Sequence, residues 1–313
     1  MSLLADLDRW RDAGAITIPQ HQALTALVRK SRFSVFAELN ALLYLGVLSL
    51  VAGAGWTIRT YFASLGDVAI LFALSASFLG SLYYCFTRGA TYSNAQQQSP
   101  GFAFDYVLYF GCLMFGLELG FLEYRFHLLQ DSWDHYLLLS AVVYFALAYR
   151  FDNRFVLSLA LSTLAGWFGF RLFRLQWLGD SVRVHALIYS VLVAASGGWL
   201  HRVGIKKHFF ETYLHVAVNV ALAALLTGVF DWSASRLYVA ALLALGGAAV
   251  LLGLRFTRFV FVAYGVIYTY IGISDLILHN VRGDAPIFAY FAVSATVVIV
   301  LLVLVARRFG REP

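Results

Sequence analysis

The chain has 313 residues, of which 61% are apolar and 17% aromatic. Only 13% are charged, against about a quarter in a soluble globular domain, and the mean hydropathy is strongly positive. This excludes a soluble enzyme, a disordered chain and a disulfide scaffold, and the formal charge of +6, spread over short loops, offers no phosphate-tracking groove for nucleic acid.

Residues 1–33 read as a polar helical hairpin. Leu3, Leu4, Leu7 and Trp10 share one face at helical spacing. Gly14 suits a helix C-cap. Thr17 and Gln20 fit a capping box, with Pro19 tolerated in the first turn. Ala23, Leu24, Leu27 and Val28 supply the second helix's apolar face. The hairpin reads as a lid over the inner ends of the spans or as a docking module for a cytoplasmic partner. No apolar stretch follows Met1, so the first span is expected to be an uncleaved anchor.

Beyond the hairpin, a span needs roughly 20 mostly apolar residues. Ten candidates follow, at 36–58, 66–87, 103–124, 135–149, 154–170, 184–200, 209–230, 236–254, 258–278 and 285–306. The fourth and fifth are short, and reading them as one re-entrant pair gives eight spans. Ten spans leave no room for a soluble catalytic domain, so any chemistry sits between helices or in short loops.

The first of these regions carries a pattern. Leu7-x-x-Trp10-x-x-x-Gly14-x-Ile16-x-x-x-Gln20, then Leu42-x-Tyr44-Leu45-Gly46 and Gly53-x-Gly55-Trp56, resembles the start of an uncharacterised bacterial predicted-membrane-protein family, domain of unknown function 2157, mainly over residues 1–60. The resemblance implies a short cytoplasmic head followed by membrane spans. It implies no reaction and no site residues.

Lys and Arg give the orientation. With the N-terminus inside, inner segments carry 16 of the 23 basic residues and outer segments 7. Both ends are therefore expected in the cytoplasm. One outer loop is discordant, with Arg171, Arg174 and Arg183; its first two arginines suit an interfacial helix beside Trp177. The expected fold is an all-α polytopic integral membrane helix bundle of about ten transmembrane helices, N-in and C-in. The hairpin (1–33) precedes the bundle (34–313), and the expected location is the bacterial inner membrane. Such a bundle permits a five-plus-five inverted repeat, but no residue-level similarity joins the halves. Glycines at 46, 53, 55, 197, 198, 246 and 247 point to close helix packing, with a broken helix at Gly197–Gly198 as a second reading. Thr91 to Pro100 reads as a polar inner loop. Cys85 and Cys112 lie in or near spans and imply no disulfide framework.

Charges inside a bilayer are costly and mark function. Glu118 lies about 20 Å along its span from Asp105, at 1.5 Å per residue. Glu123 and His127 follow, four apart, and Asp131, Asp134 and His135 read as outer loop. The ninth span has a stripe of Tyr264, Tyr268, Gly272, Asp275 and His279 on one face. The seventh has Glu211, His215 and Asn219. Taken singly, each of these groups reads most simply as a buried polar residue bonded to a neighbouring helix. Taken together, Glu118, Glu123, His215, Asn219, Tyr264, Tyr268, Asp275 and His279 read as a substrate or proton path, because burial raises a carboxyl pKa toward neutrality. A metal reading places Glu123, His127, Asp275 and His279 around a divalent ion, provided the third and ninth spans touch. Nucleophile elbow, P-loop and dinucleotide motifs are lacking.

The expected function is a small-solute or ion permease, proton-coupled, with an outward-facing polar cavity. Glu118 and Asp275 would bind the proton or cation, Glu123 and His279 would tune them, and His215 would continue the path inward. No cofactor is expected on this reading. The alternatives are a membrane-embedded metal enzyme with a periplasm-facing site, and a non-catalytic assembly or regulatory protein working through residues 1–33. The expected surroundings are the lipid bilayer and, in the last case, a cytoplasmic protein.

Overall fold

A computed structural model describes residues 3–30, 36–101, 103–175, 182–231, 235–279 and 283–309. They form twelve α-helices and no strand. Two short helices come first, α1 (Leu3–Asp12) and α2 (Ile18–Lys30). Ten long ones follow: α3 (Phe36–Leu65), α4 (Asp67–Arg88), α5 (Phe104–Phe126), α6 (Asp134–Phe151), α7 (Arg154–Leu175), α8 (Val182–Val203), α9 (Phe210–Val229), α10 (Ser235–Arg255), α11 (Phe259–Leu278) and α12 (Asp284–Phe309).

The hairpin forms as its capping signals require. Gly14 takes the left-handed φ of 69° that ends α1. The Gln20 side chain accepts the Thr17 N–H at 2.9 Å and the Thr17 hydroxyl at 3.0 Å, which satisfies a donor that the start of α2 would otherwise orphan. Asp8 on α1 meets His21 on α2 at 2.9 Å. Leu7 is buried, whereas Trp10 and Ile18 are exposed.

Among the described residues, eight helices are long and apolar enough to cross a membrane. The fourth and fifth candidate spans are not among them. They form the hairpin α6–α7, joined by Asp152 and Asn153, and much of it is buried. Tyr144, Leu147, Ala148, Val156, Leu157 and Leu161 belong to the largest core cluster, shared with α5, α8 and α9. The eight apolar helices agree in number with the reading in which the fourth and fifth candidates form one paired element.

The long helices pack mainly as sequential hairpins: α4 on α5, α6 on α7, α8 on α9, α10 on α11. The connections within these hairpins gather at one end of the bundle. There Tyr44 near the start of α3 stacks on Phe155 at the start of α7 with ring centroids 3.8 Å apart, and meets Tyr106 of α5 at 5.0 Å. Arg88, Arg150, Arg154, Lys206, Lys207, Arg255 and Arg258 lie in or beside these turns, so this is called the basic end.

Helix α8 runs unbroken from Val182 to Val203, which corrects the reading of a break at Gly197–Gly198. Gly197 instead seats Tyr213 of α9: a Cβ there would lie 2.6 Å from that side chain. Gly246 on α10 faces the Gly265 backbone and Thr269 of α11. Gly46, Gly53, Gly198 and Gly247 face open space, so those four do not mark packing. Asp134, read as outer loop, begins α6 and is fully buried. Trp177 lies outside the described residues.

Candidate functional site: a polar seam between α9 and α11

The stripes on α9 and α11 come from four-residue spacing, which lines side chains along one face of each helix. The two helices pack on each other, so part of each stripe meets the other. At the basic end, Glu211 receives Arg258 at 2.8 Å and Arg154 at 3.6 Å. One turn further, the His215 ring stacks on Phe261 at 4.5 Å, nearly parallel, and meets Tyr264 edge-on at 5.7 Å. His215 Nδ1 is buried with no hydrogen-bond partner among the described residues. A turn beyond, Asn219 Nδ2 donates to the His215 carbonyl at 2.8 Å, and Tyr268 donates to Asn219 Oδ1 at 3.3 Å. His215, Asn219, Tyr264 and Tyr268 are thus brought together.

The seam then closes. Gly272 lies against Leu242 of α10 and Leu226 of α9, so close that a Cβ would collide with Leu242. Asp275 lies on the far side of this apolar layer. Its Oδ2 is buried and has no hydrogen-bond partner among the described residues. His279 follows as the exposed C-cap of α11, its N–H donating to the Asp275 carbonyl at 3.1 Å. On α12, Tyr290 meets Ser274 at 3.0 Å and Ser294 meets Tyr270 at 2.9 Å.

The other half of the expected path sits elsewhere. Helix α5 packs on α3, α4, α6 and α7, whereas α11 packs on α9, α10 and α12. Glu118, Glu123 and His127 thus belong, among the described residues, to a different group of packed helices from Asp275 and His279. Among the described residues, no three His, Cys, Asp or Glu are placed to hold a metal. Glu118 is a short hydrogen-bond acceptor for Ser75 Oγ, tying α5 to α4. Glu123 accepts the Leu129 N–H at 3.0 Å and so organises the turn after α5. His127 is the exposed, left-handed C-cap of that helix, with φ of 47°. Nearby, Arg125 bridges to Asp67 at 2.8 Å.

A second polar cluster, at the basic end, was not singled out from the sequence. Asp152 takes the left-handed conformation at the α6–α7 turn, and Lys206 does so at the α8–α9 turn. The two form an ion pair at 3.1 Å whose side chains are 1% and 0% exposed. His208 meets the same carboxylate at 2.5 Å, and the Gln97 N–H donates to it at 2.6 Å. Burial pushes the Asp152 carboxyl up, but the bonds from Gln97, His208 and Lys206 outweigh it and hold it below the usual carboxylate value. The Lys206 ammonium lies 5.2 Å from the Tyr92 ring centroid. Asn153 caps α7 by accepting the Val156 N–H at 2.9 Å and donates to Asp105 at 2.8 Å. This cluster pins Gln97 of the loop after α4 and two helical turns together. The only trace of it in sequence was basic residues in short turns, which topology alone already accounts for.

The N-terminal resemblance is shown at greater length than its motifs. Residues 8–157 match a family described as Predicted membrane protein (DUF2157). The match runs from Asp8 in α1 to Leu157 in the first turn of α7. It includes Asp152 but not Lys206 or His208, and the α9–α11 seam lies wholly beyond it. No curated protein and no solved structure matches the chain. The chain is a membrane protein resembling that family, with several apolar helices, and its chemistry has to be read from its own residues.

Proposed function

We propose that this protein is a proton-coupled permease of the bacterial inner membrane, with its path along the α9–α11 seam. The observation that carries this reading is the half-buried Asn219–Tyr268 hydrogen bond beyond His215, midway along two apolar helices. Such polar groups are costly at membrane depth and are retained where they serve transport or relay. Glu211 and Arg258 form the mouth at the basic end, which the positive-inside rule puts in the cytoplasm. The Gly272–Leu242–Leu226 layer is the closed gate, and Asp275 is the protonatable group beyond it. Glu118 ties α5 to α4, Glu123 organises the turn after α5, and on this reading both lie off the path.

The test needs no solute. Proteoliposomes on a solid-supported membrane are given pH jumps, and the transient charge movement is recorded. The wild type should give a protein-dependent current that reverses with the jump. Asp275→Asn and His215→Ala, checked for unchanged thermal unfolding, should lose it. A wild type with no such current, or variants with full current, overturns the reading.

A second reading rests on the hairpin. Trp10 is 53% and Ile18 65% exposed, an apolar surface that suits a cytoplasmic protein partner. It requires that Trp10→Ala abolish the biological role while the pH-jump current is untouched.

A further inference from the structure

Helices α9 and α10 meet tightly at the end away from the basic turns, where Gly228 seats the Tyr238 ring so closely that no Cβ fits between them. Toward the basic end a cavity of about 330 Å3 lies between them. Its walls are Leu214 and Val218 from α9, Leu245, Ala249 and Leu252 from α10, and Phe261 from α11. Ala248 and Ala249 leave the room. Glu211 and Arg258 alone among the lining residues carry charge.

We infer that this cavity binds a single-chain anionic amphiphile, its apolar chain between α9 and α10 and its carboxylate or phosphate at Arg258. Three observations carry this. The walls are apolar, so a polar solute would lose its hydration without replacement bonds, whereas an apolar chain gains by leaving water. The rim has a surplus of positive charge: Arg258 and Arg154 both face the single carboxylate of Glu211, at 2.8 and 3.6 Å. Each guanidinium has five donors in a fork, and Arg258 is 59% exposed in its side chain, so donors are left for an incoming anion. Finally, the volume is at the lower end of the roughly 300–1,000 Å3 of small-molecule pockets, which suits one slender chain rather than the two of a bilayer phospholipid.

The site deepens the permease reading, since its wall residue Phe261 stacks on His215 and the amphiphile would be the cargo. It rests on that reading only for this last step, because occupancy is measured without transport. Binding with no pH-jump current would sink the permease and leave the cavity assignment standing. Current with no binding would do the reverse.

The protein in phosphatidylcholine nanodiscs is titrated with dansyl-labelled undecanoic acid and, separately, with its uncharged methyl ester. The acid should bind saturably, about tenfold or more tighter than the ester, as loss of one charge-assisted hydrogen bond predicts. Arg258→Gln should weaken the acid by a similar factor and leave the ester unchanged. Ala249→Phe, which fills the cavity, should abolish both. Ala248→Leu is the milder filling variant, and thermal unfolding of each reports whether it folds. Lysophosphatidic acid should compete, and diacyl phosphatidylglycerol should not. Equal binding of acid and ester, indifference to both filling variants in folded protein, or displacement by the diacyl lipid would each overturn the assignment. The last would identify an ordinary annular lipid site.

Discussion

Tyr268 on α11 donates a 3.3 Å hydrogen bond to Asn219 on α9, and Asn219 in turn donates to the carbonyl of His215 one turn back. A helix–helix contact in lipid gains nothing from the hydrophobic effect, because lipid tails are as apolar as leucine. The bond therefore helps fix the register of the two helices, beside the Glu211–Arg258 pair at the basic end.

Removing it separates register from stability. Tyr268→Phe keeps the ring and loses the hydroxyl, and a single net hydrogen bond is worth about 0.5–1.5 kcal/mol. The expected outcome is a small fall in unfolding temperature with a large loss of the pH-jump current. Asn219→Leu should behave alike. Full current in both variants would show that the bond is packing alone.

The Asp152–Lys206 pair should carry more stability than any group in the seam. Asp152→Asn leaves the Lys206 ammonium buried without its counter-charge, and breaking such a pair costs about 3–5 kcal/mol. Lys206→Met alone should also destabilise. The double variant should recover much of the loss, because an apolar replacement of both charges is often neutral. Unfolding temperatures of the four proteins in one detergent close the cycle. A strictly additive double variant would show that the two residues do not act as a pair.

The same carboxylate sets a pH dependence. Its folded pKa is depressed, so its contribution is complete above the unfolded value of about 3.9 and disappears as pH falls through the lower folded value. The wild-type advantage over Asp152→Asn should thus be flat down to about pH 4 and vanish only in stronger acid. An advantage that fades nearer neutrality would assign the pH dependence to another group.

Hydropathy made eight of the long helices legible as spans, because a span must be apolar throughout its length; α6 and α7 were legible only as shorter apolar stretches, and Thr17 with Gln20 announced the start of α2 by a local bond. The α9 and α11 stripes were legible as stripes for the same reason of helical spacing. Their neighbours were not. Lipid-facing and protein-facing surfaces are equally apolar, so nothing in the composition of α5 or α11 states that Glu118 belongs to Ser75 and Asp275 to a different group of helices. The Asp152–Lys206 pair was hidden for a further reason. Both residues sit in short turns with left-handed backbone, and a basic turn residue is what orientation alone demands, so its burial leaves no mark in the sequence.

Glu118 tests that separation directly. Glu118→Gln keeps an acceptor for Ser75 Oγ and should leave both the unfolding temperature and the pH-jump current unchanged. Glu118→Leu strands the hydroxyl, which costs about 1–3 kcal/mol, and should lower the unfolding temperature while the current per folded protein persists. A lost current in Glu118→Gln would return this residue to the path.

Packing between α10 and α11 gives the last contrast. A Cβ at Gly265 would strike the carbonyl oxygen of Gly246 and the Val250 side chain. The carbonyl is backbone and cannot turn aside, so Gly265→Ala must move one helix, at the roughly 1–3 kcal/mol of an overpacked core. Gly247, next to Gly246, faces open space. Gly247→Ala should be neutral or stabilising by up to about 1 kcal/mol, the helix preference of alanine over glycine. Because α10 supplies Leu245, Ala249 and Leu252 to the cavity wall, displacing it should also weaken binding of the dansyl acid in Gly265→Ala and leave it intact in Gly247→Ala. Equal unfolding temperatures for the two variants would mean that α10 and α11 are not held by this glycine contact.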